Sequence, residues 1–122
     1  MRENTLIFEV ELLEIMNLSI VEETSNYSGY GVSCNGENNG VIIQFLYLDN
    51  LIKVFPSKES ITNSWSTDIP MEIPGIDSSK TTSFKRIYRD LVFSAFSDGN
   101  WDASNSIIAF ISNYQKEYAK SI

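Results

Sequence analysis

Two glycines, Gly31 and Gly36, are separated by four residues in the stretch GVSCNGEN (residues 31–38), which is the glycine spacing of a phosphate-binding loop. A Walker A loop continues with a lysine that neutralises phosphate charge and a hydroxyl that holds magnesium. Glu37 and Asn38 occupy those positions, and a carboxylate there would repel phosphate. We therefore interpret the stretch as a connection between strands, in which glycine and asparagine adopt positive φ at low cost.

Histidine is absent from the chain, and Cys34 is the single cysteine. The usual general base near neutral pH, the commonest metal ligand and every Ser-His or Cys-His pair are therefore excluded. One thiol cannot form an internal disulfide, and Cys34 lies near Glu37 rather than near a cation that would activate it. We expect a cytoplasmic protein that is not an enzyme and holds no metal or cofactor.

Two other groups of charged residues have types that could do chemistry. Glu9 and Glu11 resemble the carboxylate pair of a glycosidase, but we interpret them as the solvent face of a strand, since the chain leaves little room for a sugar cleft. Lys85, Arg86 and Arg89 could hold a phosphate or an acidic peptide. The alternative is an ordinary exposed helix face.

The net charge of −7 lies entirely in the first fifty residues, which contain eight acidic residues and a single basic residue, Arg2. In the rest of the chain the acidic and basic residues are equal in number. Such a field repels nucleic acid and anionic membranes and attracts a basic partner. The alternative is that the acids only aid solubility. The acids in this half are Glu3, Glu9, Glu11, Glu14, Glu22, Glu23, Glu37 and Asp49.

Three aromatic residues lie in polar, loop-like surroundings. Tyr27 and Tyr30 belong to the acidic glycine-rich region, and Trp65 lies in an irregular segment. Tyrosine and tryptophan in such positions are typical interface anchors. For Trp65, the alternative is that it covers the edge of a sheet.

Period-two alternation in TLIFEVEL (residues 5–12) predicts a half-buried strand, and a helix over about 5–21 is the rival interpretation. LSIVEE (18–23) predicts a second strand or a continuation of the first, and YGVSC (30–34) predicts a short strand. The firmest hairpin joins residues 41–48 to residues 51–55 through Asp49-Asn50, with a longer loop as the alternative.

Pro70 and Pro74 predict an irregular middle over residues 56–82, with a short extended piece near residues 71–73. Apolar residues at three- and four-residue spacing predict helices near 83–97 and 104–119, the first capped by Ser83 and stopped by Asp98-Gly99-Asn100. Together these elements predict one α+β domain over residues 1–122, with two C-terminal helices packed on one face of an antiparallel sheet.

In size, acidity and α+β makeup, the chain resembles the immunity proteins of contact-dependent growth inhibition and other polymorphic toxin systems. This resemblance concerns general character along the chain and includes no diagnostic motif, so no family residue is transferred. It implies a cognate toxin domain, often a nuclease, that is bound tightly and one to one.

We expect the partner to be a basic toxin domain rather than a nucleic acid, a membrane or a small-molecule substrate, since an acidic inhibitor competes electrostatically for a nuclease surface. The alternative is a secretion chaperone or phage accessory adaptor that holds an apolar segment. The predicted contacts are acids and tyrosines of the first half, namely Glu9, Glu11, Glu22, Glu23, Tyr27, Tyr30 and Glu37.

Overall fold

A computed structural model describes the backbone of residues 2–34, 37–71, 81–97 and 103–120. Within those ranges it describes the side chains from Phe8 to Lys116, except for those of residues 34, 37–39, 58, 81, 93–97 and 103. The chain forms an α+β fold, as predicted. Its elements in order are α1 (Arg2–Met16), β1 (Ser19–Glu23), β2 (Tyr27–Cys34), β3 (Glu37–Leu46), β4 (Leu51–Phe55), α2 (Lys58–Thr62), β5 (Thr67–Pro70), α3 (Thr81–Ser97) and α4 (Ala103–Lys120).

The described strands form one five-stranded antiparallel sheet in sequence order, so that β1 and β5 are its edges. Tyr30 pairs with Ile43, Ile43 pairs with Val54, and all three are buried. Paired residues point to the same face, so this row places the hydrophobic core on one face of the sheet. We call the opposite face the open face. Phe55 points to it and is buried there, where α2 contacts β3 and β4.

The β3–β4 hairpin is confirmed, with the longer of the two predicted connections. Leu46 pairs with Leu51, so residues 47–50 form a four-residue turn. Asn50 has a φ of 54°, a left-handed conformation that asparagine tolerates better than most residues. Its side-chain Nδ2 donates to the Met71 carbonyl at 3.0 Å, which ties the turn to the end of β5.

Most of the stretch GVSCNGEN, which we interpreted as a connection, belongs to strands, because β2 runs to Cys34 and β3 begins at Glu37. β2 and β3 pair as far as Cys34 and Glu37, and residues 35–36 lie outside the described residues. The thiol of Cys34 lies outside the described side chains.

The first predicted strand is wrong, because those residues belong to helix α1. An alternating strand would bury Val10 together with Phe8 and Leu12. In the structure Val10 is 60% exposed, whereas Phe8 and Leu12 are fully buried. Phe8, Leu12 and Ile15 follow the i, i+4, i+7 spacing of a helix, and the segment is rich in leucine and glutamate, which favour helices. The period-two pattern appeared because the buried arc of α1 is wide and includes glutamates.

The two C-terminal helices are confirmed as α3 and α4. Tyr88 and Val92 of α3, with Ile107 and Ile111 of α4, enter the same core as the sheet, so both helices lie on its buried face. Helix α1 joins them there and packs against α3, which the prediction of two helices did not include. Ser83 lies inside the first turn of α3 rather than at its N-cap, and the predicted stop at residues 98–100 lies outside the described residues.

The predicted irregular middle contains two short elements. Helix α2 begins at a capping box, in which the Ser57 side chain accepts from the Ser60 backbone and Ser60 bonds back to the Ser57 backbone. Strand β5 ends at Pro70, a position that an edge strand tolerates because the proline lacks only an outward donor. The extended piece expected near residues 71–73 lies outside the described residues beyond Met71.

Candidate functional site

Strand β1 lies at a free edge of the sheet, and all five of its residues are exposed. Two of them are apolar: Ile20 is 55% exposed and Val21 is 59% exposed. Large apolar side chains side by side on a strand edge are unusual for a surface without a partner. The edge therefore has the character of an interaction surface.

A β-bulge shapes this edge. Ile20 pairs with Tyr30 and Glu22 pairs with Gly29, so Val21 is an extra residue without a partner in the ladder. A Cβ placed on Gly29 would lie 3.7 Å from Val21 Cγ2 and 3.8 Å from Glu22 Cβ, so both side chains lean over this glycine on the open face. The bulge thus presents an apolar residue and a carboxylate next to each other.

The turn that follows β1 holds Tyr27 close to Glu22. Thr24 Oγ1 accepts hydrogen bonds from the backbone N–H groups of Asn26 at 3.2 Å and Tyr27 at 3.1 Å. A hydrogen bond from the Tyr27 hydroxyl to the Glu22 carboxylate raises the pKa of Tyr27. We call Ile20, Val21, Glu22, Glu23 and Tyr27 the edge patch.

The edge patch is acidic and is not neutralised by a described base. Within the described residues, no ion pair involves Glu22 or Glu23. The ion pair between Lys53 and Asp68, 3.5 Å apart, joins β4 to β5 at the opposite edge of the sheet. The patch therefore presents two carboxylates, one of them close to the Tyr27 hydroxyl, beside exposed apolar carbon.

Of the seven predicted contact residues, three lie in this patch: Glu22, Glu23 and Tyr27. Three others, Glu9, Glu11 and Tyr30, are buried inside the fold. Glu37 lies at the start of β3, and its side chain is outside the described set. The apolar members of the patch, Ile20 and Val21, were not predicted, although the sequence LSIVEE places them directly before the two acids.

Glu9 and Glu11 are not on a solvent face, contrary to prediction. They are 4% and 7% exposed, at the two borders of the buried arc of α1. The Glu11 carboxylate accepts from the Tyr114 hydroxyl at 3.0 Å, which links α1 to α4. These carboxylates lie inside the fold because each meets a tyrosine there, and a buried carboxylate requires such donors.

The Glu9 carboxylate is the centre of a buried polar cluster between α1 and the sheet. The Tyr30 hydroxyl donates to Oε2, and the Tyr47 hydroxyl donates to Oε1 at 2.7 Å. Ser28 Oγ lies 2.5 Å from the Tyr47 hydroxyl and extends the chain of hydrogen bonds. Burial, followed by the hydrogen bond to Glu9, raises the pKa of Tyr30. Tyr30, also predicted as a contact, is thus a buried link between α1 and β2.

Two further surfaces carry exposed apolar residues. Trp65 lies between α2 and β5 and is 61% exposed, so most of its side chain is open to solvent. An open apolar groove of about 160 Å³ lies between α3 and α4. Lys85, Arg86 and Arg89 are exposed on α3. The groove is lined by Phe84, Ile87, Leu91, Phe110, Asn113 and Tyr114.

The described side chains include no group of three or more His, Cys, Asp or Glu residues arranged to hold a metal ion. Among the described helices, none combines the length and apolar character that a membrane span requires. No known protein family, characterised protein or solved structure matches the chain.

Proposed function

We propose that this protein is the immunity protein of a bacterial toxin, and that it binds and neutralises a basic toxin domain through the edge patch. The observation that carries this proposal is the edge strand β1, whose five exposed residues combine two carboxylates with two apolar side chains. Apolar area supplies affinity at an interface, while charge of one sign selects and steers the partner.

Electrostatics supports a nuclease as the toxin. A nuclease carries a basic surface because its substrate is a polyanion, and an acidic inhibitor attracts that same surface. The net charge of −7 adds long-range attraction to the local contacts of the patch. Association should therefore slow as salt rises, since charges are screened over about 8 Å at physiological ionic strength.

The proposal includes a stoichiometric role without catalysis. The protein would act in the cytoplasm, bind one toxin domain per chain, and use no metal, cofactor or small-molecule substrate. The complete lack of histidine supports this role, because it removes the side chain that most often moves protons near neutral pH.

The test combines growth rescue with measurements of association against the toxin domain recovered by pull-down from the native host. Glu22→Lys with Glu23→Lys should slow association markedly and abolish rescue. The matched control is Glu14→Lys with Asp90→Lys, which makes the same charge change at exposed positions on α1 and α3. If the control pair abolishes rescue while the patch pair leaves it intact, the edge patch is not the toxin-binding surface.

A second candidate function is an adaptor or secretion chaperone that holds an apolar segment. The groove between α3 and α4 favours it, because Ile87 and Leu91 leave apolar carbon exposed there. Ile87→Asp with Leu91→Asp should abolish binding by such an adaptor and leave toxin binding by the edge patch intact. The identity of the protein recovered by pull-down, a toxin or a secreted effector, separates the two functions.

A further inference from the structure

We propose that a basic, extended segment of the partner adds to the free side of β1 as a further antiparallel or parallel strand of the sheet. This inference rests on the proposed function for the identity of the partner, while its test does not depend on a toxin. Strand addition supplies affinity through main-chain hydrogen bonds, and side chains on alternate residues supply specificity.

The free side of β1 is available for such pairing. One side of β1 pairs with β2, and no described strand lies on its other side. An edge strand presents backbone N–H and C=O groups to solvent on that side. The opposite edge is a poorer template, because β5 has four residues and ends in Pro70. β1 is therefore the edge that a partner strand can extend.

The charge of β1 determines which strand can add. If two copies of β1 paired antiparallel about Glu22, or with Glu22 opposite Glu23, carboxylates of the two copies would lie directly across from each other. Like charges across neighbouring strands are destabilising, and opposite charges are stabilising. Glutamates at an edge thus oppose pairing with a second copy and favour a strand that carries lysine or arginine.

The bulge sets the side-chain pattern of that strand. Val21 and Glu22 lie on the open face, whereas Ile20 and Glu23 pair with the core-facing residues Tyr30 and Ser28. Each face of β1 therefore presents one apolar side chain and one carboxylate. A matching strand carries a basic and an apolar residue on each of its faces, over about the five-residue length of β1.

The experiment measures amide hydrogen exchange by NMR in the full-length protein with a synthetic peptide in which pairs of valines alternate with pairs of lysines or arginines, so that each face of the added strand carries both kinds of side chain. A twin peptide with glutamate at each basic position is the control ligand. We expect the basic peptide to slow exchange of amides within Ser19–Glu23 and the acidic twin to leave them unchanged. Glu22→Gln with Glu23→Gln should weaken binding of the basic peptide about tenfold, as expected from two cross-strand ion pairs, while Glu14→Gln with Asp90→Asn should not.

Several results would overturn strand addition. These are no binding of the basic peptide, binding without slowed exchange in β1, or equal protection by the acidic twin. Protection that grows with protein concentration in the absence of peptide would show that the occupant is a second copy. If patch reversals abolish toxin binding while the peptide fails, the proposed function stands and strand addition is wrong. The converse result refutes the toxin proposal and leaves strand addition standing.

Discussion

Replacing Glu9 by alanine should destabilise the fold strongly, although the sequence pattern alone places this residue on the surface. The substitution removes two hydrogen bonds to a charged acceptor, from Tyr30 and Tyr47, each worth about 1.5–3 kcal/mol. Part of this loss is offset, because a carboxylate is no longer held out of water. We expect the free energy of unfolding to fall by about 2–4 kcal/mol.

The assay is urea unfolding at neutral pH, followed by circular dichroism, with Glu14→Ala as the matched control. Glu14 lies on the same helix and is exposed, so its replacement should change the free energy of unfolding by no more than about 0.5 kcal/mol. In thermal unfolding, Glu9→Ala should lower Tm by roughly 10–15 °C for a chain of this size. A double-mutant cycle with Tyr30→Phe should give a coupling energy of about 1–2 kcal/mol between the two side chains.

Equal effects of the two alanine substitutions would refute the buried position of Glu9. A coupling energy near zero would show that the Tyr30 hydroxyl does not donate to this carboxylate. The first result would return Glu9 to the surface and restore it as a candidate contact of the partner, whereas the second would leave the Tyr47 hydroxyl as its donor.

Two further predictions follow from the described geometry. The pKa of Tyr30 is raised in the fold, so above its ordinary value of about 10 the unfolded chain loses a proton that the folded chain keeps. The contribution of Tyr30 to the free energy of unfolding should be complete below pH 10 and fall as the pH rises beyond it. In urea unfolding measured from pH 8 to 11.5, Tyr30→Phe should flatten this fall. An unchanged dependence of the free energy of unfolding on pH would contradict the prediction. Gly40→Ala should lower the free energy of unfolding by about 1 kcal/mol because Gly40 has a φ of 83°, although no atom lies within 4 Å of the added Cβ. Gly29→Ala should have almost no effect, since its added Cβ makes ordinary contacts and its φ is not positive, and a larger loss at Gly29 than at Gly40 would be the contrary outcome.

The elements with a single consistent local pattern could be predicted from the sequence. The β3–β4 hairpin combines two β-rich runs with an asparagine that adopts positive φ, and these are properties of neighbouring residues. Helix α3 buries Tyr88 and Val92 and half-buries Phe84, at the four-residue spacing visible in the sequence. β1 was predicted in the same way, and the acids that it exposes could be named in advance.

The helical structure of α1 could not be predicted from its own residues. Helix α1 packs against α3 on one side and bonds to Tyr30 of β2 through Glu9 on another, so it has no clear amphipathic stripe and its alternating residues imitate a strand. Burial was decided by long-range contacts: Phe8 meets Tyr114 with ring centres 5.7 Å apart, across most of the chain length. Local periodicity carries no information about such a neighbour.

The sequence by itself determined the α+β class, the hairpin, the two C-terminal helices, the absence of histidine chemistry and the placement of the negative charge in the first fifty residues. Only the tertiary structure decided which of those acids can meet a partner. Glu9 and Glu11 are buried because tyrosines 21 and 103 residues away donate to them, whereas Glu22 and Glu23 stay exposed because β1 forms the edge of the sheet. Charge and periodicity are properties of the local chain, but the donors that allow a carboxylate to leave water are supplied by packing between distant segments.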